Sequence, residues 1–163
     1  MVGKVVMDDP AACPDFYRDA SPEAAIAGTR AVINHIRTHP ANTEARVLPV
    51  ITPRFIPSCT DEVLTVLGQL AAECDCHVQT HCSESDWAHG HVLNRYGHTD
   101  AQALDNFGLL TRKSVLAHSI SSLRPIWTGW WPVNPPSPIA PSPTSTSPTP
   151  SSPCAALWKS TSM

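Results

Sequence analysis

A chain of 163 residues with 42% hydrophobic residues and a net charge of -3 has the size of one ordinary domain. A pI of about 6.2 with no excess of Lys and Arg argues against nucleic acid or an anionic membrane as a partner. No run of about 18 apolar residues is present to span a bilayer, and the opening Met1-to-Asp9 segment lacks the apolar region and cleavage site of a signal peptide.

In chain order, Val2 to Met7 is apolar and β-branched and predicts a buried strand. After a loop rich in Asp, Pro and Ala, Ser21-Pro22-Glu23 predicts a helix start: Ser as N-cap, Pro at the first position, Glu in the first turn. That helix should run to about His39, where Pro40 stops it. Arg46 to Thr52 predicts a second buried strand, ending in Pro53-Arg54-Phe55. Thr60-Asp61-Glu62 opens a second helix, with Val63, Leu64, Val66, Leu67, Leu70 and Ala71 along one side. His77 to His81 predicts a third strand, running into Cys82-Ser83-Glu84. Weaker helical segments follow at about Ser85 to Tyr96 and Asp100 to Phe107, and Ser114 to His118 predicts a fourth strand.

Strands and helices thus alternate, and the strands are short and apolar without clean alternation. Both features point to an α/β fold with a parallel sheet covered on both faces. Doubly wound sheets and (β/α)8 barrels both satisfy the pattern. Arg54, His81, Glu84 and His118 lie at the carboxyl ends of strands or just beyond, where such folds place their sites. The six cysteines, Cys13, Cys59, Cys74, Cys76, Cys82 and Cys154, show no disulfide framework and are expected to be reduced, with the chain in the cytoplasm.

A metal hydrolase needs neutral imidazoles to hold a divalent ion, an open position for water and a carboxylate to move protons. His81 and His118 end consecutive strands and Glu84 lies three residues after His81, which supplies part of that inventory. The same spacing also fits two partly buried histidines and an acid at a helix N-terminus, which from spacing alone is the simpler reading. Cys74-Asp75-Cys76-His77 fits no structural zinc spacing and is expected to hold small buried residues. His35, His39, His89, His91 and His98 are expected at the surface, and Trp87 near the site mouth or in the core.

The segments Gly3-Lys4-Val5-Val6-Met7-Asp8, Pro53-Arg54-Phe55, Gln79-Thr80-His81-Cys82-Ser83-Glu84 and Leu116-Ala117-His118-Ser119 occur in that order. Together they resemble the guanine deaminase branch of the amidohydrolase superfamily over residues 1–120. The resemblance implies a partial (β/α)8 barrel, about strands three to six. It implies His81 as a zinc ligand, Glu84 as the shuttle of protons to the purine and the leaving ammonia, and His118 as a hydrogen-bond partner of the attacking water. Arg54 would donate to the guanine carbonyl and Phe55 would line the base pocket, with His81 and Glu84 also at the substrate. Guanine is the implied small-molecule partner and a homodimer the implied assembly of the intact enzyme. The family's strand-borne His-x-His and its late aspartate ligand are missing, so the zinc site is expected to be incomplete and this chain inactive alone. Another aminated heterocycle is an alternative substrate.

Composition breaks near Ile120. Residues 121–163 hold 10 of the 17 prolines and 4 of the 5 tryptophans, with no Asp, Glu or His. A Pro/Ser/Thr-rich disordered tail is expected there, and one alternative is a non-catalytic α/β unit whose proline-rich tail meets a partner. Trp127, Trp130, Trp131 and Trp158 are unusual in a solvated tail. Reading each codon's third base with the next two gives forced letters: Asp from Trp127-Thr128, Val from Trp130-Trp131, Ala from Trp131-Pro132, Glu from Trp158-Lys159. Restricted letters permit a helix and then a strand ending in His-Cys-Pro. A displaced reading frame from about Ile120 to Ser122 is therefore expected.

Overall fold

The computed structural model describes residues 1–119; the expectations for the tail and its reading frame lie outside them. Four parallel strands form one sheet in chain order: β1 (Val5–Val6), β2 (Val50–Pro53), β3 (His77–Cys82) and β4 (Ser114–His118). Register pairs Val5 with Thr52, Val50 with His77, and Cys82 with His118. Parallel neighbours need crossovers, and helices α1 (Pro22–Thr38), α2 (Asp61–Glu73), α3 (Asp86–Tyr96) and α4 (Asp100–Asn106) supply them. This is the expected α/β arrangement, a parallel sheet with helical crossovers.

The helix starts follow their caps. Ser21 Oγ accepts the Ala24 amide and Thr60 Oγ1 accepts that of Val63, at the positions predicted from the sequence. Ser85 caps α3, and Thr99 with Gln102 forms a capping box on α4. Gly97 closes α3 at φ 70°, the left-handed conformation that glycine adopts without a Cβ penalty.

Two strands begin later than predicted. β1 is reduced to Val5–Val6, with an isolated bridge from Val2 to Pro49. β2 begins at Val50 rather than Arg46. The Asn42 side chain donates to the Ile36 and Val47 carbonyls and accepts the Val47 amide, so it takes up the hydrogen bonds a strand would use there. Val47 and Leu48 are consequently exposed.

The core lies between the sheet and α1 and α2. Val6, Ile33, Ile51, Leu64, Leu67, Leu70 and Val78 pack there, with Leu104 and Leu109 joining from the α4 side. Cys13, Cys59 and Cys76 are buried free thiols, and Cys82 on β3 is also buried. Cys74 is buried as expected. No helix among the described residues is long and apolar enough to cross a membrane.

Candidate active site

The carboxyl ends of β2, β3 and β4 bring the predicted polar residues together. His81 sits on the partly open face of β3 while Val78, Thr80 and Cys82 point into the core. This alternation was not predicted, because all four strands were expected to be covered on both faces. His81 Nδ1 lies 2.9 Å from the Arg54 carbonyl oxygen. A carbonyl only accepts, so Nδ1 carries the proton and Nε2 is the basic nitrogen. The same Arg54 carbonyl accepts the His81 amide at 3.0 Å and the Thr80 hydroxyl at 3.3 Å. The loop after β2 therefore fixes both the backbone and the tautomer of His81, as an outer partner does for a metal-ligating histidine.

His118 ends β4 beside it. The two imidazoles stack with centroids 5.5 Å apart and an interplanar angle of 27°. His118 Nε2 lies 3.8 Å from Glu84 Oε1, and both side chains are partly exposed. His118, Ser119 and Ser83 all have positive φ, of 67°, 55° and 49°. Such values are uncommon for residues other than glycine and carry strain that the surroundings must hold.

Arg54 and Phe55 come from the same loop. The Arg54 guanidinium is exposed, with a contact of 3.7 Å to Met7 Sδ. The Phe55 ring lies 6.4 Å from the Trp87 ring, which in turn lies 5.5 Å from His91. Trp87 is thus an exposed residue at the rim and not in the core.

Two buried carboxylates escaped the sequence reading. Asp8, just after β1, accepts the Thr60 amide at 2.9 Å and hydroxyl at 2.5 Å, which ties β1 to the start of α2. Asp100 is 3% exposed and accepts the Ser83 amide at 3.2 Å and His89 Nδ1 at 2.6 Å. His89 is therefore not a free surface residue. The only signal in the sequence was Asp100 directly after the Thr99 cap, a position that acids occupy in many solvated helix starts.

The buried thiols are unsuited to nucleophilic work. Burial pushes Cys59 up to about 12, with Asp8 adding to the rise, and burial also raises Cys13 and Cys76. A cavity of about 530 Å³ opens among Arg37, His39, Cys76, His77 and Lys113. It lies at the opposite, amino-terminal ends of the strands, away from His81 and Glu84, where parallel α/β folds do not place their chemistry.

No group of three or more His, Cys, Asp or Glu among the described residues could hold a metal ion. His81, with a fixed tautomer and a basic Nε2, has the chemistry of one zinc ligand. One imidazole does not make a zinc site, which needs three or four donors.

The amidohydrolase family model matches residues 1–123. The chain is 35% identical over 121 residues to a probable guanine deaminase of Schizosaccharomyces pombe, covering 73% of this chain and 22% of that protein. The guanine deaminase of C. acetobutylicum, solved with guanine in its active site, is similar at a TM-score of 0.67 and 30% identity, over 75% of this chain and 28% of that one. Atrazine chlorohydrolase from Arthrobacter aurescens, complexed with zinc, shares the fold at a TM-score of 0.56 and 19% identity, over 72% of this chain and 26% of its own. The chain spans about a quarter of the length of the relatives it matches. With four parallel strands, their helical crossovers and a family match over residues 1–123, this chain belongs to the amidohydrolase family.

Proposed function

We propose that residues 1–120 form part of a guanine deaminase barrel, from an enzyme that hydrolyses guanine to xanthine and ammonia with a zinc-activated water. The observation that carries this reading is His81: its Nδ1 proton is held by the Arg54 carbonyl, and it stands beside His118 and Glu84 at the carboxyl end of the sheet. In this reading His81 would supply one donor to the metal, and the other donors would come from outside the described residues. Glu84 carries protons to the ring nitrogen and the departing amine, a task that suits an accessible carboxylate. His118 would hydrogen-bond the attacking water. The Arg54 guanidinium, a fixed fork of donors, takes the guanine carbonyl, and Phe55 covers the base, which an aromatic ring does by stacking. The residues present do not complete the metal set, so this chain alone is expected to bind zinc poorly and to leave guanine unchanged. Residues 121–163 are read as an out-of-frame tail.

The test is a graft. Residues 1–119 replace the matching segment of the fission-yeast relative, and the chimera is assayed with guanine, adenosine and a chlorotriazine. Guanine turnover that disappears in His81→Ala and Glu84→Gln chimeras is the expected result. Turnover of adenosine or triazine in preference to guanine would move the substrate to another aminated heterocycle. Guanine turnover unaffected by both substitutions would remove His81 and Glu84 from the site.

A further inference from the structure

We infer that buried Asp100 and partly buried His89 form a brace that sets the Ser83 turn and thereby holds Glu84 opposite His118, which makes Asp100 a positioning residue of the candidate site. The turn needs a brace. Ser83 follows the last residue of β3 with φ 49°, a conformation unfavourable for a non-glycine residue that persists only where neighbours impose it. Its amide donates to Asp100 Oδ1 at 3.2 Å. The preceding carbonyl, that of Cys82, accepts the Ser119 amide at 2.7 Å. Two residues on, the Ser85 hydroxyl caps α3 by accepting the Ala88 amide. The segment that carries Glu84 is thus tied on one side to β4 and on the other to the start of α4.

Asp100 suits this role because it is buried. A carboxylate 3% exposed must keep its partners or carry the cost of an unpaired buried charge. Its two oxygens divide the work, Oδ1 on the Ser83 amide and Oδ2 on His89 Nδ1 at 2.6 Å. His89 lies on the first turn of α3, its own amide bonded to the Ser85 carbonyl. One carboxylate therefore links the end of β3, the start of α3 and the start of α4. Asp8, the other buried carboxylate described above, bonds Thr60, remote from Glu84 in the chain, and so serves as the control. The geometry of the brace stands by itself; only its catalytic meaning rests on the deaminase reading of Glu84.

The experiment uses the full chain labelled uniformly with 13C and 15N, followed by NMR. Glu84→Gln should shift the His118 ring signals in the otherwise native chain. The same substitution should leave those signals unmoved in an Asp100→Ala background, while the Leu64 and Leu67 methyl signals of the core keep their native positions. Asp100→Asn, which retains an oxygen for the Ser83 amide, should restore the response. An Asp8→Ala background, if folded, should retain it. A His118 response that survives Asp100→Ala, or no response in the native background, would overturn the inference. Should Asp100→Ala fail to fold, His89→Ala replaces it: loss of the response and a moved Ser83 amide signal are expected, and an unmoved Ser83 amide overturns the brace. No reading here uses guanine or zinc, so failure of the brace and failure of the deaminase assignment are separately visible.

Discussion

β2 is buried at all four of its positions, whereas β4, two strands away in the same sheet, has no buried residue. β3 stands between the two regimes, with Val78, Thr80 and Cys82 buried and His77, Gln79 and His81 partly open. The β1–β2 side is closed by α1 and α2, whose Ile33, Leu64, Leu67 and Leu70 meet Val6 and Ile51. The β3–β4 end carries His81, His118 and Glu84 on surface that water reaches. Within this sheet, burial that stabilises and polar groups that can do chemistry are concentrated at different ends. A substitution at one end should therefore leave the other largely unaffected.

The strongest challenge to that separation is a cavity in the closed half. Leu67→Ala removes a fully buried side chain and should destabilise the chain by about 2–5 kcal/mol in urea unfolding. A loss under about 1 kcal/mol would mean that the core between α2 and the sheet is not packed as described. Next in size is Gly68→Ala. A Cβ there would collide with the Phe107 carbonyl oxygen, so α2 must move away from the end of α4. Overpacking of this kind costs about 1–3 kcal/mol, and broadened amide signals in residues 104–109 would locate it.

Alkaline pH sharpens the comparison through Cys59, which belongs to the closed half. Its thiol ordinarily ionises near 9.0, and burial raises it to about 12. The unfolded chain then loses the proton first. Stability is full below about pH 9 and falls as pH rises toward about 12. Thermal melts across that window should decline, and Cys59→Ala should decline less steeply. Equal slopes would show that Cys59 is not buried as a thiol. The smallest effect is expected at the open end. Glu84→Gln changes a half-exposed side chain and should alter stability by no more than about 0.5 kcal/mol in the same urea assay.

Most of the element order was legible because caps and apolar runs are local signals. Ser21-Pro22-Glu23 and Thr60-Asp61-Glu62 start their helices where those residues predict. What escaped depends on partners distant in sequence. The late start of β2 is set by the amide of Asn42, which no periodicity in residues 46–52 reveals. The half-open face of β3 depends on what covers the sheet, not on its own letters. In the site, His81, Glu84 and His118 were legible as strand-end residues, and the stacking of the two rings agrees with their neighbouring strands. The His81 tautomer depends on a carbonyl 27 residues earlier, and the Asp100–His89 pair on the packing of α3 against α4, so neither has a sequence signature.

The most direct test of the central claim, that this chain carries one part of a deaminase site, is a paired assay of the purified 163-residue protein. Zinc is titrated in and measured after desalting, and xanthine formation from guanine is followed in the same samples. The account predicts zinc well below one equivalent and no xanthine above the buffer control. Stoichiometric zinc with steady turnover of guanine would contradict it.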